Sequence, residues 1–256
     1  MNLDEYARMY AAEDSHWWYV GMRDATLGLL NGHLDNAAAE ARRQGDSHRP
    51  RILDAGCGTG GLLMHLDAMG WTAGIDLSPT ALAFARYRDL PHLAEASVES
   101  LPFPDATYDL VTCMDVLYHL QVHEDTTALA EFHRVLRPGG WLLVKVPAYE
   151  ALRGQHDQTV HTRHRYTLDE LTDKLTAAGF VIERATYANT LLMPLAAAKR
   201  AIENVVLLAP EGASDVAQSP AWLNHILTVV LRAEARLVQH VDLPTGVSAI
   251  ALAQRR

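Results

Sequence analysis

Carboxylates placed at the ends of apolar runs and followed at once by glycine are the residues of this chain best suited to hold a ligand. The stretch Arg51-Ile-Leu-Asp54-Ala-Gly56-Cys-Gly58-Thr-Gly60-Gly61 reads as strand, tight turn and helix. Glycines at 56, 58 and 60 permit positive φ and close approach of a ligand to the main chain. The N–H groups that open the next helix then face that ligand. Gly56, Gly58 and Gly61 also satisfy the dinucleotide pattern G-x-G-x-x-G. Asp54 opposes that reading, because a carboxylate two residues before the first glycine repels a pyrophosphate and favours a cationic amino-acid moiety. About 20 residues on, Thr72-Ala-Gly-Ile-Asp76-Leu77-Ser78 forms a second strand ending in an acid, as ribose-hydroxyl recognition requires. Pro79 suits the first turn of the helix after it.

Two further motifs follow in order. Tyr108-Asp109-Leu-Val-Thr-Cys-Met114-Asp115-Val-Leu-Tyr118-His119 is preceded by Leu101-Pro-Phe-Pro-Asp105, and Leu136-Arg-Pro-Gly-Gly140 feeds the strand up to Lys145. From Arg51 to Pro147 this ordered set resembles the class I S-adenosylmethionine (SAM)-dependent methyltransferases, in the small-molecule branch called type 11. SAM carries an α-ammonium and a sulfonium and no phosphate, which agrees with Asp54. The resemblance implies that Asp54, Gly56 and Gly58 line the methionine portion, that Asp76 binds the ribose hydroxyls and that Leu77 packs on the adenine. Ser97-Val98 stand where the family places an Asp against the adenine amino group, so that contact is weaker or comes from backbone. Met114 would close over the sulfonium. His119 stands where many members have a histidine facing the acceptor, and Tyr118 where a Glu is frequent.

Two clusters lie outside these motifs. His16-Trp17-Trp18-Tyr19 with Arg23 resembles the N-terminal cover of the subfamily. Its aromatic faces, Trp18 among them, would enclose the sulfonium or a planar acceptor. Arg23 would pair with the SAM carboxylate, and Tyr19 is a candidate catalytic group. The alternative is a helix packed on the core through its two tryptophans. After the fifth strand come His156-Asp157, His161 and His164-Arg165-Tyr166. Their spacing matches no standard metal site. They read as a loop over the acceptor, with His161 or His156 as base and Arg165 as anion anchor, or as a structural lead into the next helix. Thr167 and Glu170 are spaced as a capping box for that helix.

The elements that must position these residues alternate strand and helix, which implies an α/β fold with a doubly wound, Rossmann-like sheet. Strands are expected near 51–56, 72–77, 93–97, 108–114, 140–147, 180–187 and 247–254. The family order of the seven-stranded sheet is 3-2-1-4-5-7-6 with the seventh strand antiparallel. Ligands belong at the carboxyl ends of strands 1 and 4, where the topology reverses. Residues 1–48 read as an N-terminal helical cover, with a second helix from about Arg23 to Arg43 and a linker Gln44 to Pro50. Residues 49–188 and 246–256 form the SAM-binding core. About 55 residues between strands 6 and 7 are too many for an ordinary loop. They read as a helical hairpin at 189–245, a cap on the sheet or a dimer surface, with an acceptor lid or a membrane-surface element as the sharper alternatives.

The chain has 256 residues, 49% of them apolar and 21% charged, ordinary for a soluble globular protein. A net charge of −9 argues against an electrostatic nucleic-acid partner. The two cysteines, Cys57 and Cys113, have no metal or disulfide spacing and read as buried packing residues in a reducing compartment. The acidic start lacks the apolar core of a signal peptide, and no run reaches a membrane span of about 18 residues, so a cytoplasmic location without stable membrane insertion is expected. The resulting expectation is methyl transfer to O or C of a small molecule, a secondary metabolite. Three alternatives stand beside it: a lipid or isoprenoid acceptor, a catalytically silent SAM binder, and a dinucleotide oxidoreductase, which Asp54, Asp109 and Asp115 oppose. A homodimer through the helical insertion would be the one protein partner.

Overall fold

Alternating short apolar runs pair into one seven-stranded sheet in the computed structural model, which describes residues 3–34, 49–206 and 219–256. The strands are β1 (Arg51–Ala55), β2 (Trp71–Asp76), β3 (Leu93–Glu95), β4 (Tyr108–Met114), β5 (Leu136–Pro147), β6 (Phe180–Ala188) and β7 (Ser248–Arg255). Their order is β3-β2-β1-β4-β5-β7-β6, and β7 runs antiparallel to both neighbours. This is the expected fold. The fifth strand starts earlier than its sequence suggests. Tyr108 pairs with Leu136 and Leu110 with Trp141, so the Arg137–Gly140 turn is a bulge inside the strand rather than a loop before it.

Period-two alternation decides which face each strand residue joins. Leu142, Val144 and Val146 of β5 and Ala249, Ala251 and Ala253 of β7 belong to one buried cluster. Trp141 and Leu143, with Ile250 and Leu252, belong to the other. The first face is covered by α5 (Asp125–Val135) and α7 (Leu168–Ala177) through Phe132, Leu171 and Leu175. The second is covered by α2 (Trp17–Leu30) through Met22, Leu29 and Leu30, and by Leu66 of α3 (Gly61–Leu66). The helix α4 (Pro79–Arg86) begins with Ser78 accepting from the Ala81 N–H at 3.3 Å and Pro79 in its first turn.

The N-terminal segment folds as α1 (Leu3–Ala12) and α2. The second helix therefore starts at Trp17, six residues before Arg23, and carries the aromatic cluster on its first turn. His16 caps it, its ring accepting from the Trp18 N–H at 3.4 Å. That helix ends at Leu30, where Asn31 takes ψ 126° and Gly32 φ 83°, so it does not run on unbroken to Arg43 as expected; residues 35–48, with most of the Gln44–Pro50 linker, lie outside the described residues. Between β6 and β7 run α8 (Met193–Val206) and α9 (Ala221–Leu237). The expected break at Pro210-Glu-Gly-Ala-Ser-Asp lies outside the described residues. α9 packs on α2 where glycine permits it. A Cβ on Gly21 would stand 2.4 Å from the Leu231 Cβ. Asn224 ties the start of α2 to α9, accepting from the Trp17 N–H and donating to the Ser15 carbonyl, both at 2.9 Å. Among the described residues no helix is long and apolar enough to cross a membrane.

Candidate active site

The turn after β1 is built to keep its main chain open. Gly56, Gly58 and Gly60 have φ of 88°, 54° and 85°, a region that side chains disfavour. A Cβ on Gly56 would fall 2.1 Å from the Val116 side chain. The N–H groups of Gly56 and Cys57 both donate to the Ile75 carbonyl at 2.8 Å, which fastens the turn to β2. Asp76, at the end of β2, accepts from the Gly58 N–H at 2.9 Å and the Ser78 N–H at 2.8 Å. Asp54 is buried on β1 and accepts from the Thr112 hydroxyl at 2.7 Å. Burial pushes its carboxyl up to about 7, with Asp76 and Glu13 adding like charge against the Thr112 bond. Burial also raises Asp76, against the two N–H donors.

Glu13, just beyond α1, completes this end from far away in sequence. Its carboxylate accepts from the Thr59 hydroxyl at 2.6 Å and from Arg88 Nη2 at 3.0 Å. It lies so close that a Cβ on Gly61 would meet it at 2.5 Å. Burial raises its carboxyl in spite of both donors. Glu13 escaped the sequence reading, since nothing local marks it.

From Asp54 and Asp76 a cavity of about 730 Å³ runs along the carboxyl edge of the sheet as far as Asn189, just past β6. Five strand spacings separate β2 from β6, so the cavity spans roughly 24 Å at about 4.8 Å per strand. One half lies over β1, β2 and the start of the β4 loop; the other lies over β5, β7 and β6. Trp17, Trp18 and Tyr19 of α2, Leu192 and Leu195 at α8, and Leu227 of α9 wall the second half.

The chain matches a family profile described as a methyltransferase domain over residues 53–144. The demethylmenaquinone methyltransferase of Chlorobaculum parvum is 35% identical over 128 residues, which is 48% of this chain and 52% of that one. The chain spans about half the length of the first relatives it matches. The malonyl-[acyl-carrier protein] O-methyltransferase of Serratia marcescens is 34% identical over 177 residues, 64% of this chain and 69% of that one. The chain belongs to the SAM-dependent methyltransferase family. A crystal structure of a SAM-dependent methyltransferase from Thermotoga maritima shares the fold, with a TM-score of 0.58 at 15% identity over 99% of this chain and 96% of that one.

SAM is the donor of this methyltransferase family, and the residues at the β1 end fit it. The glycine cradle would be closed by added Cβ atoms. The buried Asp54 suits a cationic amino-acid portion, and Asp76 suits ribose hydroxyls. Leu77, Ser97, Val98 and Met114 line the same half of the cavity. The Ser97 hydroxyl accepts from the Glu99 N–H at 3.1 Å and so is engaged in its own turn. Arg23 lines this half as well and donates from Nη1 to the Glu13 carbonyl at 3.0 Å.

Other expected residues fall into place differently. Trp18 lines the cavity, and one face of its ring is taken by the Lys145 ammonium, 4.2 Å from the ring centroid. Arg165 is no unpaired anion anchor. It forms a two-point ion pair with buried Asp157, Nε to Oδ1 at 2.8 Å and Nη2 to Oδ2 at 3.2 Å, and donates from Nη1 to the Ala148 carbonyl at 2.9 Å. That pair fixes α6 (Gln155–Thr159), which brings His156 to the cavity. His119 and Tyr118 line the cavity too, but His161 does not; it borders a smaller hollow of about 260 Å³ beside Arg153. Burial pushes His119 down to about 4, and its Nδ1 accepts from the Gln121 N–H at 3.1 Å. Burial holds the Tyr19 and Tyr118 phenols well above their ordinary value, so both stay protonated donors. Thr167 caps α7 by accepting from the Glu170 N–H at 3.2 Å. The Glu170 carboxylate takes His164 Nε2 at 2.8 Å, so the capping box is half made. Asp109 stands at the opposite edge of the sheet, accepting from the Arg51 N–H at 2.7 Å. Among the described residues no cluster of three or more His, Cys, Asp or Glu is placed to hold a metal.

Besides Glu13, two further residues of the cavity wall had no sequence signal. Asn189 is buried at φ 57°, with an Oδ1 that has no hydrogen-bond partner. Lys145, in the interior of β5, is buried and ion-paired to Asp115 at 2.5 Å.

Proposed function

We propose that this chain transfers a methyl group from SAM to an oxygen or carbon of a small, largely apolar organic molecule of secondary metabolism. The observation that carries this reading is the single cavity joining the glycine turn to a separate apolar chamber. Its volume of about 730 Å³ lies within the range of about 300–1,000 Å³ usual for small-molecule sites. Bound SAM supplies a methyl group already activated on a positive sulfur. The protein's task is then to place the acceptor atom in line behind that methyl and to exclude water. Asp54, Gly56, Gly58 and Asp76 would hold the donor. The aromatic start of α2 and the apolar sides of α8 and α9 would hold the acceptor body. A buried acceptor atom without a partner costs about 1–3 kcal/mol, so Asn189 Oδ1 suits an acceptor that brings an O–H or N–H to the far end. In this reading the 189–245 insertion is an acceptor wall.

A lipid or isoprenoid acceptor is the second reading. Leu195 lines the cavity and is 65% exposed, which makes the chamber mouth apolar as well as its interior.

Methyl-labelled SAM supplied to an extract of the source cells tests both. The wild type is expected to label one small-molecule fraction that Asp76→Ala leaves unlabelled. Label in long-chain lipids would select the second reading. A wild-type protein that binds SAM and labels nothing would be a silent binder.

A further inference from the structure

Lys145 is 3% exposed in the middle of a strand whose neighbours Val144 and Val146 are wholly buried. Alternation places it with Trp141 and Leu143 on the face that α2 covers, where an apolar side chain would pack at lower cost than an ammonium. Its Nζ is 2.5 Å from Asp115 Oδ2 and 4.2 Å from the centre of the Trp18 ring. Asp115 is held for this contact in two ways. Its φ is 59°, a conformation that costs a non-glycine residue free energy and is concentrated at functional sites. Its N–H donates to the Lys145 carbonyl at 2.9 Å. An ammonium has three donor hydrogens. Asp115 takes one, the Trp18 face lies against another side, and the lysine lines the cavity where the β4 and β5 edges meet. That point lies between the donor half and the acceptor half.

We propose that Lys145 is a catalytic residue of this site, its ammonium receiving the reacting oxygen of the acceptor as an oxyanion, which makes the acceptor a phenol or an enol. The inference rests on the methyltransferase reading above. The acceptor O–H gives its proton to solvent on binding, Lys145 keeps its three protons, and the negative oxygen faces the ammonium. Asp115 balances the lysine charge before the acceptor arrives, and the oxyanion takes a donor that Asp115 leaves. An enolate shares its charge with carbon, so the same arrangement serves attack through oxygen or carbon.

The neighbouring groups leave this role to an already acidic hydroxyl. Asp115 is committed to Lys145 and Asp157 to Arg165. His119 is neutral and a weak base. Tyr19 from α2 and Tyr118 from the loop after β4 remain protonated near Asp115. Glu5 and Glu13 act on Tyr19 from the α1 side. An aliphatic alcohol would need a strong base here, whereas a phenol or enol needs only a cation.

The test uses p-nitrophenol, whose phenolate absorbs visible light, with protein saturated in S-adenosylhomocysteine, so that no turnover occurs. In the wild type the bound probe is expected to ionise at least one pH unit below its value in buffer, about a tenfold shift in its acid constant. The double variant Lys145→Met, Asp115→Asn removes both charges, leaves no orphaned carboxylate, and is expected to abolish the shift. Lys145→Arg is expected to keep it. Calorimetry with S-adenosylhomocysteine checks each protein, and Lys145→Gln serves in the same way if the double variant does not hold the nucleoside. An equal shift without Lys145, or a wild type that holds the nucleoside and neither binds nor ionises the phenol, overturns the proposal. A wild type that does not hold the nucleoside overturns the methyltransferase reading instead.

Discussion

Asp54 lies among like charges and is buried, yet a cationic ligand needs it ionised. Its carboxyl stands near 3.8 in ordinary surroundings and at about 7 in the folded chain. Between those values the folded protein holds a proton that the unfolded chain has lost. Stability on this account is therefore greatest below about pH 4, falls as pH rises to about 7, and is flat above. SAM affinity should move the other way, strengthening up to tenfold per pH unit from pH 5 to 7 as the carboxylate forms. Asp54→Asn keeps an acceptor for the Thr112 hydroxyl and removes the buried charge. It is expected to raise the melting temperature at pH 8 while weakening SAM binding by about 10- to 100-fold, a trade of stability against function. Thermal denaturation and calorimetry on the same samples check both signs. Asp54 and Asp76 were legible in the chain because strand, acid and glycine turn are consecutive in sequence. Lys145 was not, since a lysine within the expected strand 140–147 carries no mark of burial until the sheet order sets it against Asp115 and Trp18. Asn189 was equally silent, as its unmet acceptor exists only once burial is known.

Helices meet the sheet and each other through positions where a side chain would not fit. Gly21 and Gly28 lie on the same side of α2, facing α9 and the residues just beyond it, but what opposes them differs. At Gly21 the obstacle is the Leu231 Cβ, which cannot move without α9. At Gly28 it is the Gln239 amide, the end of a flexible side chain, at 2.5 Å. Gly21→Ala should cost about 1–3 kcal/mol through overpacking, and Leu231→Ala in the same chain should recover part of it. Gly28→Ala should be close to neutral, because the gain in helix propensity of up to about 1 kcal/mol offsets displacement of Gln239. Urea denaturation of the four proteins distinguishes the cases. The strands and the helical insertion follow from periodicity. The start of α2 does not, because its first turn holds His16 and three aromatics whose burial pattern depends on α9, more than 200 residues away.

On the scale of the molecule, the chain carries a net charge of −9 and concentrates Glu5, Glu13, Asp54 and Asp76 around the half of the cavity that suits a cationic donor. Ligand binding there should stabilise the whole protein by mass action. At a hundredfold excess over Kd, SAM is expected to add about 2.7 kcal/mol, a rise of roughly 5–10 °C for a chain of this size. Asp76→Ala should lose most of that rise, as scanning fluorimetry with and without SAM would report. The cavity itself has a composite origin. Its donor half draws on residues up to Asp115, whereas part of the other wall, Asn189, Leu192, Leu195 and Leu227, comes from the stretch inserted between the last two strands. Heritable change can therefore fall on the two halves separately. On the proposed reading, substitutions within residues 189–245 alter which molecule is chosen, while the turn after β1 keeps the currency of the reaction the same.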